Sequence, residues 1–139
     1  MPPGHEPVGD DELLYRRIPA STGWYDPELD SAPSRLAFNP NMNDTSGLSL
    51  FRAKHTTLRE AAEGQPGKAY YVATLRAGDL RKKRIEVRPK PLPHRPGHVE
   101  LPGLTYQNRR SDQAQTWMYI LAEQLCLRVE GPFPGDPQG

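Results

Sequence analysis

Two adjacent arginines, Arg16 and Arg17, lie in the segment YRRIP near the start of the chain. Neighbouring side chains of a strand point to opposite faces, so one of these guanidinium groups must point inward or lie at the strand end. The favoured interpretation is structural: the arginine packs its aliphatic part or pairs with a carboxylate. The functional interpretation is an arginine that holds an anion, which requires a defined pocket.

Histidine is the second residue type that could do chemistry, and the chain has four histidines. His55 and His98 are candidates for a general base or for a hydrogen-bonding role. His94 and His98 are four residues apart, but Pro96 prevents the regular helix that would bring them together as ligands. With no cysteine and no third ligand near them, the sequence predicts no metal site.

The sequence motifs of common nucleophilic and phosphate-binding sites are absent. There is no GxSxG segment for a serine nucleophile and no Walker or GxGxxG loop for phosphates. The single cysteine, Cys126, falls beside the apolar stripe of a predicted helix, which indicates a buried, unreactive thiol. These absences favour a protein that is not an enzyme and that has no cofactor.

Residues 76–95 form a basic stretch, although the net charge of the whole chain is only +1. Its lysines and arginines are dense enough to bind nucleic acid. The stretch has no aromatic residue, so stacking on bases would need Tyr70 or Tyr71 from the preceding strand. A solvated basic edge is favoured, and weak nucleic-acid binding through these residues is an alternative. Tyr70, Arg84 and His98 are the candidate ligand-binding residues.

Periodicity and end signals predict the elements that must position these residues. The clearest unit begins with a capping box at Thr57 and Glu60, continues through a short helix to Gly64 as its left-handed end residue, and leads into a buried strand over 70–75. Spacings of three and four predict one longer amphipathic helix over 111–126. Further strands are predicted at 12–19, 47–53, 85–88, 97–101 and 127–130.

These elements indicate the fold class and the domain organisation. More strands than helices, without regular alternation, predict an α+β fold with a small, mainly antiparallel sheet and many loops. The length of 139 residues corresponds to a single domain, placed at 12–130. Residues 1–11 and 131–139 are rich in proline and glycine, so we expect disordered tails there. No leader and no long apolar run occurs, so we expect a cytoplasmic protein without membrane contact.

Four short segments occur in an order that resembles a set of small bacterial proteins. They are YRRIP (15–19), SRLAF (34–38), GLSLFR (47–52) and the Pro-x-x-Pro-Gly-His-Val-Glu segment (93–100). The resemblance implies a bacterial source and no particular activity. Together with the missing catalytic motifs, it favours a non-enzymatic interaction or accessory module whose partner is another protein.

The chain also resembles RES-type and other ADP-ribosyltransferase-like domains, through a first strand with an arginine, a later strand with a serine or a tyrosine, and a helix followed by a strand. This resemblance implies an enzyme that uses NAD, either an ADP-ribosyltransferase or an NAD glycohydrolase. On it, Arg16 or Arg17 would hold the pyrophosphate. Ser49 or His55 would line the nicotinamide side, and Glu100 would be the catalytic acid. The chain lacks the Gly-Gly-Arg-Trp segment and the Glu-x-Glu pair of that pattern.

Overall fold

A single antiparallel sheet organises the computed structural model, which describes residues 2–29 and 31–134. Its strand order is β4-β5-β2-β1-β3-β6, and every neighbouring pair is antiparallel. This confirms the predicted α+β fold. The strands are β1 (Leu13–Pro19), β2 (Leu48–Arg52), β3 (Tyr70–Arg76), β4 (Arg88–Pro89), β5 (His98–Leu101) and β6 (Arg128–Phe133).

Three short helices accompany the sheet: α1 (Leu58–Ala61), α2 (Ala77–Lys82) and α3 (Asp112–Tyr119). The capping box of α1 is present as predicted. The predicted longer helix is also present, but its second half, Ile120–Leu125, widens into a π-helical segment. Turns of 3-10 helix lie at Ala20–Thr22, Arg35–Phe38 and Ala53–His55. No helix within the described ranges has the length and apolar character needed to cross a membrane.

The two faces of the sheet are covered very differently. One face carries the main core, built from the sheet, α2, α3 with its π-helical segment, and the turn at Arg35–Phe38. The other face has only a small cluster of Ala62, Tyr70 and Val72 near α1. Beside this cluster, residues of β1, β2, β3 and β5 line a cleft. Representative core residues are Leu14, Ile18, Phe38, Leu50, Leu75, Leu80, Leu101 and Met118.

The predicted strand over 85–88 is largely replaced by non-repetitive structure. Ile85 and Val87 are buried in the core, and only Arg88–Pro89 pairs with β5. The backbone turns sharply before this segment, because Arg84 has φ 63°, in the left-handed region. Pro89 also lacks an amide proton and cannot donate to a longer ladder. Ile85 and Val87 thus share a buried side, as their alternation with charged residues indicates, but the segment that pairs with β5 is shorter than the predicted strand.

The expected N-terminal tail packs against the sheet. Val8 is buried, and the fully buried guanidinium group of Arg52 donates to the carbonyl oxygens of Gly4, Glu6 and Pro7. Composition gave no indication of this, because the anchoring groups are backbone carbonyls and their donor lies far along the chain. At the other end β6 extends to Phe133, and residues 135–139 of the expected tail lie outside the described residues.

Glu12 makes the stability of this N-terminal region dependent on pH. Burial raises the pKa of Glu12, but hydrogen bonds from Arg52 and the Gly9 amide outweigh burial, so that the pKa lies below its ordinary value of 4.5. A carboxyl group with a lowered pKa contributes stability above its unfolded-state pKa, and this contribution is lost as the pH falls through the folded-state pKa. We therefore expect the free energy of unfolding to decrease as the pH is lowered below 4.5.

Urea denaturation between pH 6 and pH 3 measures this effect. Glu12→Gln should be less stable at pH 6 and should lose less stability on acidification than the parent chain. Glu28→Gln, which changes an exposed side chain, is the control for removal of one carboxyl group. Equal losses on acidification for Glu12→Gln and the parent chain would contradict the prediction.

Candidate functional site

The cleft opens where β1 and β2 separate. The two strands pair at two register positions only. Beyond them the guanidinium group of Arg16 lies between the strands and donates to the carbonyl oxygen of Ser49 at 3.1 Å. It also donates to the carbonyl oxygens of Ala37 at 3.0 Å and Asn39 at 3.4 Å. A side chain thus takes the place of the backbone hydrogen bonds that would otherwise close this part of the sheet.

The register of β2 and β5 places the polar side chains of the cleft. Ser49 lies opposite Glu100, and Phe51 lies opposite His98. Because side chains alternate along a strand, all four lie on the face turned away from the main core. These four residues line the cleft, which has a volume of about 1010 Å³.

Neighbouring strands and three loops complete the cleft. Arg17 on β1 and Tyr70 on β3 line it. Two loops contribute from 39–44 and 63–66, and a third contributes Lys90, Leu92 and Arg95. The Tyr70 hydroxyl accepts a hydrogen bond from the Gln65 amide at 2.9 Å, which attaches the second loop to the sheet. A Cβ at Gly64 would lie 2.4 Å from the Tyr70 ring. Gly64 is therefore needed for this close approach, and it does not adopt the predicted left-handed conformation.

Three guanidinium groups, from Arg16, Arg17 and Arg95, face the cleft. Arg17 lies 5.6 Å from the ring centroid of Tyr70 and 6.0 Å from that of Phe51, and Arg95 lies 4.9 Å from the Phe51 centroid. Arg17 donates to the carbonyl oxygen of Glu63, as does Arg95. Among the residues that the structure describes, none of the three arginines forms an ion pair with a carboxylate.

The surroundings of Arg16 and Arg17 oppose their charge, yet an arginine keeps its charge at neutral pH. Burial lowers the pKa of Arg16 to about 10, although the nearby Asp44 carboxylate acts in the opposite direction. Burial also lowers the pKa of Arg17, and the positive charge of Arg95 adds to that effect. The cleft therefore concentrates positive charge in partly desolvated positions, where an anion would be strongly attracted.

A chain of hydrogen bonds joins Asp44, Ser49 and His98. The Ser49 Oγ atom lies 3.0 Å from Asp44 Oδ1 and 2.9 Å from His98 Nε2. The other ring nitrogen of His98, Nδ1, lies 2.9 Å from the carbonyl oxygen of Lys90 and must donate to it. In the neutral imidazole, Nε2 is then an acceptor, and it competes for the Ser49 proton with Asp44 Oδ1, to which the Ser49 hydroxyl donates. The His98 ring also packs edge-on against Phe51, with ring centroids 5.7 Å apart.

Glu100 lies in the cleft with both carboxylate oxygens engaged. Oε1 accepts from Arg88 at 3.1 Å, and Oε2 accepts from the Ser46 hydroxyl at 2.6 Å. Burial raises the pKa of Glu100, but the hydrogen bonds from Ser46 and Arg88 outweigh it, so that the pKa lies below its ordinary value. Glu100 is thus ionised at neutral pH, and both of its carboxylate oxygens are hydrogen-bonded to other side chains of the protein.

The structure brings together six of the eight predicted site residues and separates two. His55 lines a different cavity, of about 150 Å³, and its Nε2 lies 2.7 Å from Glu6 Oε1. The 3-10 turn that follows β2 places His55 outside the cleft. Arg84 is exposed after α2 and does not line the cleft. The six that share the cleft are Arg16, Arg17, Ser49, Tyr70, His98 and Glu100.

Asp44 and Arg95 are two charged residues of the cleft that were not predicted as site residues. Asp44 lies in the turn-rich segment before β2, and its Oδ2 accepts from the Asn41 amide at 2.9 Å. An aspartate in such a segment is typical of turns, so its contact with Ser49 had no separate signal in the sequence. Arg95 belonged to the basic stretch that was interpreted as a solvated edge.

The basic stretch 76–95 is divided among different partners. Ion pairs engage Arg76 with Asp11 and Asp79, Arg81 with Asp10, and Arg88 with Glu100. Arg95 and Lys90 line the cleft. The exposed cations that remain are Lys82, Lys83 and Arg84. Nucleic-acid binding through this stretch stays a prediction, with fewer free cations than the sequence suggested.

The arrangement offers two kinds of chemistry. The arginines can hold an anion, and the hydrogen bonds around Ser49 can move a proton. Over residues 2–29 and 31–134, no group of three or more His, Cys, Asp or Glu side chains is placed to hold a metal ion.

Comparison with known proteins found no relative. No protein-family model, no curated protein and no solved structure matches the chain.

Proposed function

We propose that the cleft binds a nucleotide through its phosphate groups, and that NAD is the first ligand to consider. The observation that carries the proposal is the convergence of Arg16, Arg17 and Arg95 on one cleft without an ion-pair partner among the described residues. A guanidinium group binds phosphate oxygens through two parallel hydrogen bonds. The choice of NAD rests on the resemblance to ADP-ribosyltransferase-like domains.

The dimensions and the walls of the cleft support a ligand larger than free phosphate. Its volume of about 1010 Å³ lies at the upper end of small-molecule sites, which span ~300–1,000 Å³. Phe51, Tyr70 and Trp24 provide aromatic surface beside the arginines. A dinucleotide combines the two features that such a lining favours, which are phosphate charge and flat rings.

The resemblance also implies cleavage of the bond between nicotinamide and ribose, with Glu100 as the catalytic acid. Here Arg88 and Ser46 occupy both oxygens of Glu100, so that role would require them to release it. The proposal is therefore made for the class of ligand. A non-enzymatic interaction module remains the alternative function if no nucleotide binds.

Isothermal titration calorimetry with NAD, ADP-ribose, nicotinamide and inorganic phosphate tests the proposal. We expect NAD and ADP-ribose to bind and nicotinamide to give no heat. Arg17→Gln and Arg95→Gln should weaken binding by about 10- to 150-fold, the equivalent of the ~1.5–3 kcal/mol of a hydrogen bond to a charged group. Arg110→Gln, at an exposed arginine outside the cleft, is the matched control. Absence of binding by both nucleotides, or unchanged affinity in both cleft variants, would overturn the proposal.

A further inference from the structure

We infer that Ser49 is a nucleophile that attacks phosphorus, and that the chain cleaves the diphosphate bond of the nucleotide it binds. The inference rests on the proposed function for its substrate class. Its own basis is the geometry around the Ser49 hydroxyl group, together with the charge of the surrounding cleft.

The Ser49 hydroxyl has a base within reach, and that base is held in orientation. The distance of 2.9 Å between Ser49 Oγ and His98 Nε2 lies in the ~2.6–3.2 Å range of nucleophile and base pairs. The Lys90 carbonyl oxygen fixes the proton of His98 on Nδ1, which leaves Nε2 to accept. Ser49 and His98 both lie on paired strands of the sheet, so their relative position does not depend on a loop.

Asp44 positions the hydroxyl group. Only 4% of Asp44 is exposed, and its Oδ1 lies 3.0 Å from Ser49 Oγ. One hydroxyl proton serves a single acceptor at a time, so Asp44 and His98 compete for it. In the part of the chain that the structure describes, the His98 ring nitrogens are hydrogen-bonded to Lys90 and Ser49 and not to Asp44, and we assign Asp44 as a positioning residue.

The charges nearest to Ser49 suit attack at phosphorus. Arg16 donates to the carbonyl oxygen of Ser49 itself, and Arg17 lines the same cleft from the neighbouring strand. Guanidinium groups beside a phosphoryl group stabilise the negative charge on its oxygens in the transition state. The carboxylate needed for attack at the sugar, Glu100, is engaged by Arg88 and Ser46. The cleft is therefore better prepared for phosphoryl chemistry than for glycosidic cleavage.

The reaction is a displacement at phosphorus in two steps. A bond forms between Ser49 Oγ and one phosphorus, and the bond from that phosphorus to the bridging oxygen breaks, its electron pair leaving with the departing monophosphate. The Ser49 proton moves to His98 Nε2 and from there to the departing group or to solvent. Water then forms a bond to the same phosphorus as the bond from phosphorus to Ser49 Oγ breaks, its electron pair leaving with Oγ. The water gives one proton to His98 Nε2, which passes it to Ser49 Oγ, so that both side chains return to their starting state. One dinucleotide and one water molecule yield two nucleoside monophosphates, with any excess proton released to solvent.

The products formed from NAD and from ADP-ribose test the inference. Incubation of the full chain with NAD should give AMP and nicotinamide mononucleotide, and incubation with ADP-ribose should give AMP and ribose 5-phosphate. After acid quenching, mass spectrometry should find a nucleotidyl group on Ser49. Ser49→Ala and His98→Asn should lower AMP release by about 100-fold or more, the range of general-base catalysis. Ser31→Ala and His94→Asn, at exposed positions outside the cleft, are matched controls that should retain it.

Calorimetry of the same variants separates this inference from the proposed function. Ser49→Ala should bind ADP-ribose as tightly as the parent chain, which also shows that the variant is folded. Binding without AMP release by the parent chain would overturn the inference and leave the proposed function standing. Release of nicotinamide and ADP-ribose instead of AMP would overturn it in favour of glycosidic cleavage. Absence of nucleotide binding would overturn both the inference and the proposed function.

Discussion

Replacement of Arg52 by methionine should lower the free energy of unfolding by about 3–5 kcal/mol, the loss typical when one partner of a buried ion pair is removed. Arg52 is fully buried and binds both oxygens of Glu12 at 2.7 Å. It also donates to three carbonyl oxygens of the N-terminal segment. Methionine would fill much of the space of the aliphatic stem but would leave the carboxylate and the carbonyls without a donor.

Urea denaturation at neutral pH measures this loss. Arg128→Met is the matched control, because Arg128 is half exposed and pairs with Glu130 at the surface. Such surface pairs contribute ~0–1 kcal/mol. Limited proteolysis gives a second readout, since residues 2–11 should be cleaved faster when Arg52 no longer holds them. A variant as stable and as resistant to proteolysis as the parent chain would show that the N-terminal segment is held by other contacts.

Replacement of Phe38 by alanine is expected to cost about 3–5 kcal/mol of stability, the range for truncation of a buried phenylalanine. Phe38 is fully buried at the end of the turn Arg35–Phe38. The carbonyl oxygens on either side of it, in Ala37 and Asn39, accept from Arg16. Loss of the ring should therefore also displace Arg16 and weaken nucleotide binding.

Leu36→Ala in the same turn provides the control for the Phe38 variant. Leu36 is 39% exposed, and a change there should alter the free energy of unfolding by less than about 1 kcal/mol. Urea denaturation and calorimetry with ADP-ribose should be measured for both variants. If Phe38→Ala loses stability but binds ADP-ribose as the parent does, the position of Arg16 does not depend on the packing of this turn.

The elements of the fold were predictable because their signals are local. Alternation indicated the strand that contains Ser49, and spacings of three and four indicated the helix after Ser111. The order of the strands was not predictable, because pairing depends on contacts between distant segments. The burial of Arg52 beneath the N-terminal segment was not predictable for the same reason.

Several residues of the candidate site could be predicted from the sequence, but their meeting in one cleft could not. Arg16 and His98 were identified because their side chains can bind anions or transfer protons, and Ser49 was identified through the resemblance to ADP-ribosyltransferase-like domains. Their meeting depends on the separation of β1 and β2 and on the register of β2 with β5. His55 was identified as a possible general base because it is a histidine, yet the turn after β2 directs it toward Glu6. Asp44 was missed because its position beside Ser49 follows from the path of a loop.

The stacking of Arg17 and Arg95 with Phe51 has a consequence for the response of the protein to salt. Both guanidinium groups lie within about 6 Å of the centre of one ring, and their like charges repel. Dissolved ions shorten the range of such repulsion, with a screening length of ~8 Å at physiological ionic strength. Salt thus stabilises the empty cleft while it weakens the attraction for an anionic ligand. We therefore expect the affinity of the cleft for an anionic ligand to fall as the ionic strength rises.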